Sequence, residues 1–348
     1  MERTMKAARL HGINKPLTID TVPIPLIGPD DVLLRVKTCG ICGSDLHMLD
    51  GSTKVASFPT ILGHEFAGII AELGERVEGW KAGERVCAYF MITCGRCVYC
   101  LSGRESLCLT RKRLGSDLDG GYAEYVKVPA KNLIRLPANI PFGIGAIITD
   151  AVATPFHAIT KRSNLKPGET VAVFGVGGLG THAIQLLKLA GAGEIIAVDI
   201  HDQVLERARM LGADSTINAC LSDPVTEIRN LTGGLGTHLS LELIGHNKTV
   251  HQAVDCLRPG GRAVIIGLST EDINVVNPGI FARAEYEMVG SFAFERTEIE
   301  QLLDLVAKGK LDLSRSITKI IAIDEINKGL HELEHKVGNP IRIVVGME

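Results

Sequence analysis

The feature that most restricts the fold of this chain is a glycine-rich loop between an apolar run and an amphipathic run. Thr170–Phe174 (TVAVF) is a continuous apolar segment, six residues reading GVGGLG follow, and His182–Leu189 continues with helical periodicity. This order predicts a buried strand, a tight turn and a helix whose free N–H groups can face a pyrophosphate. The residues predicted to bind a dinucleotide are Gly175, Gly177, Gly178, Leu179 and Gly180.

An acidic residue at the end of the next predicted strand bears on the choice of dinucleotide. Asp199 directly follows Glu194–Val198 (EIIAV) and lies nineteen residues after Gly180. A carboxylate at this position accepts hydrogen bonds from the ribose hydroxyls and repels a 2′-phosphate. The three residues after Asp199 include no Arg or Lys. We therefore predict NAD rather than NADP; the alternative is that Asp199 is a solvated residue at a strand end.

The sequence pattern differs between the first 150 residues and the part of the chain that contains the glycine loop. The first 150 residues are rich in Gly, Pro and β-branched residues, and short strand-like runs alternate with turn signals. From about residue 153, buried strands alternate with helices, which indicates a doubly wound parallel sheet. We predict an α/β protein in which a dinucleotide-binding domain, residues 153–289, is inserted into a mostly β catalytic domain formed by residues 1–152 and 290–348.

Composition argues against several classes of function. The chain has 348 residues, 45% of them hydrophobic, and a formal net charge of −3, which favours a globular protein of two domains. The acidic balance disfavours nucleic-acid and anionic-membrane partners, and no apolar run reaches the length of a membrane span. The first residues, Met1–Gly12, lack the apolar core of a signal peptide. We expect a cytoplasmic protein without nucleic-acid or membrane partners.

Four of the nine cysteines crowd into one short segment. The spacing Cys94-x2-Cys97-x2-Cys100-x7-Cys108 can place four thiolates around one tetrahedral zinc ion. A disulfide framework is typical of small secreted chains instead. A ferredoxin-like cluster would need a shorter last gap followed by Pro, whereas Leu109 follows Cys108. We predict a structural zinc site; redox thiols or unrelated cysteines are the alternatives.

A second set of possible metal ligands is dispersed along the first half of the chain. It consists of Cys42, the pair His64-Glu65, and Asp150. Each residue alone means little, because a His beside a Glu is more often a structural pair than a ligand. Together they supply a thiolate, an imidazole and a carboxylate. Three protein ligands with an open fourth position are the arrangement of a catalytic zinc ion.

The combined pattern resembles the zinc-dependent medium-chain alcohol dehydrogenases. The run Gly63–Val77 (GHEFAGIIAELGERV) looks like the zinc signature of that family, the Cys94–Cys108 spacing is similar to its structural-zinc lobe, and the glycine loop matches its cofactor loop. The motifs also lie in the order of the family. The resemblance implies a GroES-like catalytic domain with a zinc lobe near residues 94–108, a Rossmann domain, two zinc ions per chain and NAD.

The resemblance also implies roles for single residues around the catalytic zinc. Cys42, within the run GICGSD, His64 and Asp150 become its ligands. Many members carry Cys at the third position, and the Asp found here resembles the bacterial secondary-alcohol dehydrogenases. Glu65 either ligates the zinc transiently or stays behind it. Asp45 is expected to accept the N–H of His64 and so fix its tautomer.

In this family the zinc polarises the alcohol oxygen, hydride passes to the nicotinamide, and the proton leaves by a relay. The matching relay is Ser44, the cofactor ribose and then His47, whose imidazole is suited to act as the terminal base. The alternative for His47 is an ordinary surface residue. The resemblance further implies that Thr154 packs on the nicotinamide, Phe90 lines the pocket and Arg342 contacts the pyrophosphate.

The sequence leans toward secondary alcohols, diols or polyols as substrates, because Ser44 and Thr53 are small and Asp150 replaces a cysteine. Sorbitol-, butanediol- and threonine-type members share the Cys-Gly-Ser/Thr-Asp run, and a primary alcohol stays open. Other readings are a zinc-free quinone or enoyl reductase, a non-catalytic NAD-binding zinc protein, and a four-cysteine nucleic-acid module. The metal ligands argue against the zinc-free reductase, and the relay argues against the non-catalytic protein. The acidic balance argues against the nucleic-acid module. Compact microbial members of this family with a similar chain length are commonly tetramers, so the resemblance implies a homotetramer.

Overall fold

A computed structural model describes residues 3–273 and 277–347 of the chain. The chain divides into two compact units: the residues up to Ala153 form the first together with those from Phe294 onward, and Thr154–Ala293 form the second. The strands, in chain order, are β1 (Thr4–Leu10), β2 (Thr18–Pro23), β3 (Asp31–Ile41), β4 (Thr60–Ile61), β5 (Glu65–Leu73), β6 (Arg85–Ala88), β7 (Met91–Ile92), β8 (Lys112–Arg113), β9 (Tyr125–Pro129), β10 (Leu133–Arg135), β11 (Thr170–Phe174), β12 (Glu194–Asp199), β13 (Ser215–Asn218), β14 (Thr237–Glu242), β15 (Leu257–Ile265), β16 (Glu287–Gly290), β17 (Ile317–Ala322) and β18 (Arg342–Gly346).

The α-helices of the described residues are between four and twelve residues long. In chain order they are α1 (Gly43–Leu49), α2 (Val98–Leu101), α3 (Phe142–Ile147), α4 (Ala153–His157), α5 (Gly178–Leu189), α6 (Asp202–Met210), α7 (Pro224–Leu231), α8 (Asn247–Asp255), α9 (Pro278–Arg283), α10 (Arg296–Ala307) and α11 (Ile326–Glu334).

The first unit is built mainly from antiparallel strands. Its largest sheet has seven strands in the order β10-β6-β5-β3-β18-β17, with β9 paired to β3. A smaller sheet has the order β2-β1-β4, and β7 pairs with β8. Strand β3 lies at the centre, since it pairs with β5, β9 and β18. Its apolar residues, such as Val32, Leu34 and Val36, are fully buried, whereas Arg35 in the same strand is exposed.

The second unit is a parallel sheet with helices between its strands. The strand order is β13-β12-β11-β14-β15-β16, and each neighbouring pair is parallel. Counted from β11, this is the order 3-2-1-4-5-6 of a doubly wound dinucleotide-binding fold. Phe174, Ile196 and Ile217 from the three strands at one side of the sheet share one buried core cluster. The predicted α/β architecture, a mostly β domain plus a doubly wound parallel-sheet domain, is confirmed.

One continuous helical segment, Phe142–Arg162, has the length and apolar composition that would suffice to cross a membrane, but 83% of its most apolar window is buried inside the protein. Buried core helices pass the same test of length and composition. The segment consists of α3, a π-helical turn Ile148–Val152, α4 and a second π-helical turn Ala158–Arg162. The sequence analysis did not predict this helix, because Thr149 and Asp150 interrupt its apolar run.

Candidate active site

The ends of three neighbouring strands bring dispersed residues of the first unit together. Cys42 directly follows β3, His64 directly precedes β5, and Arg342 opens β18. In the register of β3 and β5, Gly40 lies opposite Glu65. A Cβ atom on Gly40 would collide with Oε2 of Glu65. Glycine at this position therefore makes room for the Glu65 carboxylate beside the strand.

Asp150 reaches the same place from the π-helical turn Ile148–Val152. Its Oδ2 lies 3.4 Å from Sγ of Cys42 and 3.6 Å from Nε2 of His64. Turns of this kind are often found at functional sites in helices. Ligand atoms of Cys42, His64, Glu65 and Asp150 all lie within 4.8 Å of one another, so the structure brings the predicted ligand set into one cluster.

The geometry and chemistry of this cluster fit a zinc ion. Sulfur, nitrogen and oxygen ligands at their usual distances from a tetrahedral zinc are about 3.4–3.8 Å apart. The distances from Asp150 Oδ2 to Cys42 Sγ, 3.4 Å, and to His64 Nε2, 3.6 Å, match that spacing. Both carboxylate oxygens of Glu65 are buried and accept no hydrogen bond from the described residues, but Arg342 already supplies a cation 3.2 Å from Oε1. The case for zinc therefore rests on the spacing and donor types of Cys42, His64 and Asp150.

Burial and charge compete in the pKa values of the cluster. Burial lowers the pKa of His64, but hydrogen-bond contacts with Asp150 and Asp45 raise it well above its ordinary value. Burial raises the pKa of Glu65 to about 7, although the positive charge of Arg342 opposes this shift. Negative groups thus surround the imidazole closely enough to favour a positive charge among them. A divalent cation would satisfy the same demand and displace the proton.

Arg342 lies against this cluster as a buried cation. It is 3% exposed, and its Nη2 lies 3.2 Å from Oε1 of Glu65 and 3.9 Å from Sγ of Cys42. Burial lowers the pKa of Arg342, but the charges of Glu65 and Cys42 raise it above its ordinary value. The sequence analysis assigned Arg342 to the pyrophosphate of the cofactor. That contact stays a prediction, and the structure adds an internal ion pair that the sequence analysis did not foresee.

The residues of the predicted proton relay lie on α1. Oγ of Ser44 is 3.2 Å from Nε2 of His64, so the hydroxyl lies beside the same imidazole atom that faces Asp150. His47 is half-buried one helical turn later, and its Nδ1 lies 3.3 Å from Oγ of Ser52. The helix places Ser44 next to the ligands and His47 farther along. Their action as a relay stays a prediction.

Aromatic rings form one side of the cluster. The Phe90 ring packs edge-on against the His64 ring, with centroids 5.3 Å apart, and against the Phe294 ring, with centroids 5.7 Å apart. The sequence analysis predicted Phe90 as a pocket wall but missed Phe294, which is distant in the chain. Thr154, predicted to pack on the nicotinamide, lies on α4 in the second unit, and that contact also stays a prediction.

The four crowded cysteines form a separate cluster. Sγ of Cys100 lies 3.5 Å from Sγ of Cys97 and 3.9 Å from Sγ of Cys94, and Sγ of Cys108 accepts the N–H of Cys94 at 3.3 Å. All are free thiols, at separations far beyond a disulfide bond and close to those of ligands around one zinc ion. Backbone N–H groups of Arg96 and Cys97 lower the pKa of Cys94 to about 6, which favours the thiolate that zinc requires.

The glycine loop of the second unit follows the G-x-G-x-x-G pattern, and its backbone shows why glycine is needed at the first and last of these three positions. Gly175 has a positive φ of 86°, which glycine adopts without strain. A Cβ on Gly180 would collide with the carbonyl oxygen of Gly175, so this glycine permits helix and strand to pack closely. A Cβ on Gly177 would meet no described atom within 4 Å. Gly178 and Leu179 begin α5, so their N–H groups lie at the helix start.

Asp199 is fixed beside this loop. Its Oδ2 accepts the N–H of Val176 at 2.8 Å, and its Oδ1 accepts those of Ile200 at 2.8 Å and His201 at 3.2 Å. The carboxylate therefore ends β12 in a defined orientation next to the glycine loop, within the second unit. Its contact with the ribose, and its effect on the choice of cofactor, stay predictions.

Comparison with known families gives two matches along the chain. Residues 28–138 match the alcohol dehydrogenase GroES-like domain, and residues 178–308 match the zinc-binding dehydrogenase domain. The first match contains Cys42, His64 and the four-cysteine cluster. The second begins within the glycine loop.

Individual proteins match over nearly the whole chain. The alcohol dehydrogenase of Geobacillus stearothermophilus is 35% identical over 338 residues, which cover 95% of this chain and 96% of the relative. The NAD-dependent alcohol dehydrogenase of Sulfurisphaera tokodaii is 34% identical over 340 residues, with coverages of 95% and 97%. The structure of 2R,3R-butanediol dehydrogenase from Bacillus subtilis superposes with a TM-score of 0.89 at 30% identity, covering 99% of this chain and 100% of its own.

Proposed function

We propose that this chain, which belongs to the zinc-dependent medium-chain alcohol dehydrogenase family, acts on secondary alcohols, diols or polyols. It is an NAD-dependent oxidoreductase that acts on CH–OH groups, and its cofactors are zinc and NAD. The observation that carries the proposal is the cluster of Cys42, His64 and Asp150 with the Ser44 hydroxyl 3.2 Å from the imidazole. This combination provides three metal ligands and a hydroxyl positioned beside them.

The chain's own residues account for binding and proton transfer. When bound, zinc polarises the alcohol oxygen as a Lewis acid and NAD accepts the hydride. Cys42, His64 and Asp150 would hold the zinc. The Ser44 hydroxyl accepts the proton of the substrate hydroxyl and passes its own proton outward, and the His47 imidazole is the terminal base. The aromatic pair of Phe90 and Phe294 limits the access of water to the ligands.

The preference for secondary alcohols rests on three features. Ser44 has no methyl group that would narrow the space near the ligands, and Thr53 is a small residue in the segment after α1. Asp150 supplies a carboxylate where many family members have a thiolate. The similar structure of a butanediol dehydrogenase, whose substrate carries secondary hydroxyl groups, supports the same class.

A substrate panel tests this proposal directly. NAD reduction would be measured with 1-butanol, 2-butanol, 2,3-butanediol, sorbitol and threonine. We expect kcat/KM for the best secondary substrate to exceed that for 1-butanol by about tenfold or more, since pocket shape discriminates on that scale. A higher kcat/KM for the primary alcohol would refute the substrate class but not the family. Activity without zinc, or none with any alcohol, would instead contradict the zinc-dependent chemistry.

We also propose a cytoplasmic homotetramer. All nine cysteines are free thiols, which suits a reducing compartment. Strands β13 and β16 are the two edges of the parallel sheet, and an edge strand offers unpaired backbone groups to a second copy of the chain. The subunit mass is 37.4 kDa, so sedimentation should give a species four times heavier. A species of the subunit mass would refute the assembly.

A further inference from the structure

A carboxylate behind the zinc-binding imidazole is held by two donors. Asp45 is completely buried, and its Oδ1 lies 3.6 Å from Nδ1 of His64. Its other oxygen, Oδ2, accepts the N–H of Cys42 at 2.8 Å and the hydroxyl of Tyr122 at 2.7 Å. Because both donors act on Oδ2, they restrain the carboxylate, and Oδ1, which accepts no hydrogen bond from the described residues, is held 3.6 Å from Nδ1 of His64. The donor from Cys42 is part of the backbone, so Tyr122 is the side chain that completes this arrangement.

Tyr122 contacts both strand ends that carry ligands. Its hydroxyl lies 3.2 Å from the carbonyl oxygen of Gly40, two residues before Cys42. Its backbone N–H donates to the carbonyl of Leu62 at 3.0 Å, and a Cβ on Gly63 would collide with its ring. Gly63, which has a φ of 88°, directly precedes the zinc-binding His64. The tyrosine therefore packs against the turn that carries one ligand, while its hydroxyl, whose single proton goes to Asp45, contacts the strand end that carries the other.

We propose that Tyr122 is a positioning residue for the catalytic zinc: its hydroxyl fixes Asp45, and Asp45 in turn fixes the ring orientation and tautomer of His64. Zinc-binding imidazoles commonly donate their second N–H to a carboxylate, and such partners tune metal affinity. A carboxylate buried among polar groups depends on each donor it receives, because water cannot replace a lost one. Burial, with the negative charge of Asp45, raises the pKa of Tyr122 well above its ordinary value, so the hydroxyl remains a donor throughout the working pH range.

The chain offers a matched pair of variants to test this role, which rests on Cys42, His64 and Asp150 being the zinc ligands. Tyr122→Phe removes the hydroxyl but keeps the ring against Gly63. Tyr89→Phe is the control: Tyr89 is 1% exposed in the same unit, and its hydroxyl donates to the carbonyl of Phe294 at 3.0 Å. Each variant loses one buried hydroxyl, but Tyr122→Phe alone loses a bond to Asp45.

The first measurement is zinc release to a chromophoric chelator, followed in the protein loaded with two zinc ions. We expect Tyr122→Phe to accelerate release from the catalytic site about tenfold, the lower end for partners of zinc ligands. Release from the four-cysteine site should be unchanged, and Tyr89→Phe should leave the catalytic phase at its original rate. With cobalt(II) at the catalytic site, Tyr122→Phe should also shift the visible absorption bands, because these report ligand geometry.

A second variant tests whether Tyr122 acts through Asp45. In an Asp45→Ala background, adding Tyr122→Phe should change catalytic-site release by less than about twofold, since coupled residues give non-additive effects. Full additivity would overturn the proposal. So would an unchanged release rate and cobalt spectrum in Tyr122→Phe, or an equal acceleration in Tyr89→Phe. If Asp45→Ala does not fold, the tyrosine pair still decides. A wild-type chain with one zinc ion would instead refute the two-site assignment.

Discussion

The two candidate metal clusters of the first unit differ in how far apart their residues lie along the chain. The four-cysteine cluster comes from one short loop, Cys94–Cys108, and closing a short loop costs little conformational entropy. The catalytic cluster joins Cys42 to Asp150 across 108 positions. It therefore forms only when β3, β5 and the helical segment that carries Asp150 have packed together. The spacing of neighbouring residues is enough to form the four-cysteine site, whereas the catalytic site forms only when distant strands have folded together.

The clusters also differ in what surrounds them. The catalytic ligands Cys42 and His64 are 7% and 6% exposed, and their neighbours are charged side chains such as Glu65 and Arg342. In the four-cysteine cluster, Cys94, Cys97 and Cys100 are half-buried, and backbone N–H groups are the main partners of Cys94 and Cys97. The first arrangement suits a metal whose reactivity is tuned by charge; the second suits a metal that only holds a loop.

The largest expected effect comes from removing a catalytic ligand. Cys42→Ser should abolish turnover and reduce the zinc content from two ions to one, while the four-cysteine site stays loaded. The fold should persist, because the sheet that carries Cys42 does not need the metal for its packing. Elemental analysis, circular dichroism and NAD reduction measure the three quantities. Loss of both zinc ions would show that the sites are not independent.

Replacing the terminal base should slow the reaction without altering either metal. We expect His47→Gln to reduce oxidation about tenfold to a hundredfold at neutral pH, the low end for a general base because solvent can partly substitute. The rate of the variant should recover partly when imidazole is added, because the free base can take the proton. Ser44→Ala should be more damaging, because no solvent base reaches the substrate hydroxyl as easily. An unchanged rate in His47→Gln would exclude this relay.

Acid should separate the two clusters. The pKa of His64 is raised well above its ordinary value, so a proton competes with zinc there as soon as the pH falls below that raised value. The pKa of Cys94 is lowered to about 6, so its thiolate persists down to that pH. In each cluster one thiol also has a raised pKa, Cys42 in the catalytic cluster and Cys100 in the four-cysteine cluster. The expected difference in acid sensitivity therefore rests on His64 and Cys94. Catalytic zinc should be lost first in dialysis at decreasing pH.

The smallest effect should come from the link between the four-cysteine loop and the rest of the unit. The hydroxyl of Ser106, which is 3% exposed, donates to Oε1 of Glu295 at 2.7 Å. Ser106→Ala should lower the free energy of unfolding by about 1.5–3 kcal/mol, the value of a buried hydrogen bond to a charged group. Turnover and the zinc content should be unchanged. Denaturant titration beside a kinetic assay checks both, and a large fall in kcat would show that the loop affects the active site.

The sequence predicted best what is encoded locally. The run Thr170–Phe174 coincides with β11, because an apolar stretch before a glycine turn leaves little choice of structure. The cysteine spacing needed no fold at all. Asp150 belonged to the dispersed set of possible ligands, but only the family resemblance assigned it as the third zinc ligand, since nothing in its neighbourhood marks it as one. Its π-helical turn went unpredicted.

Long-range side-chain contacts were beyond the sequence. Tyr122 lies 77 positions from Asp45, and Phe294 meets Phe90 although they are far apart in the chain. Such contacts depend on which strands pair and in which register, and a shift of one residue turns every side chain to the other face. The second role of Arg342 was missed for the same reason: the Glu65 carboxylate reaches it only when β18 and β5 flank β3.

The position of the ligands at strand ends also constrains how the length of the chain can change. Successive residues of a strand alternate between faces, so one inserted residue in β3 would turn Cys42 away from Asp150 and disconnect it from His64. The segment between Leu49 and Thr60 has no such restriction, since it lies between α1 and β4. The family resemblance implies that this segment, which contains Thr53, lines the substrate pocket. On that expectation, insertions and deletions there change the substrate range while the ligands stay in place, so substrate range and metal binding can vary separately.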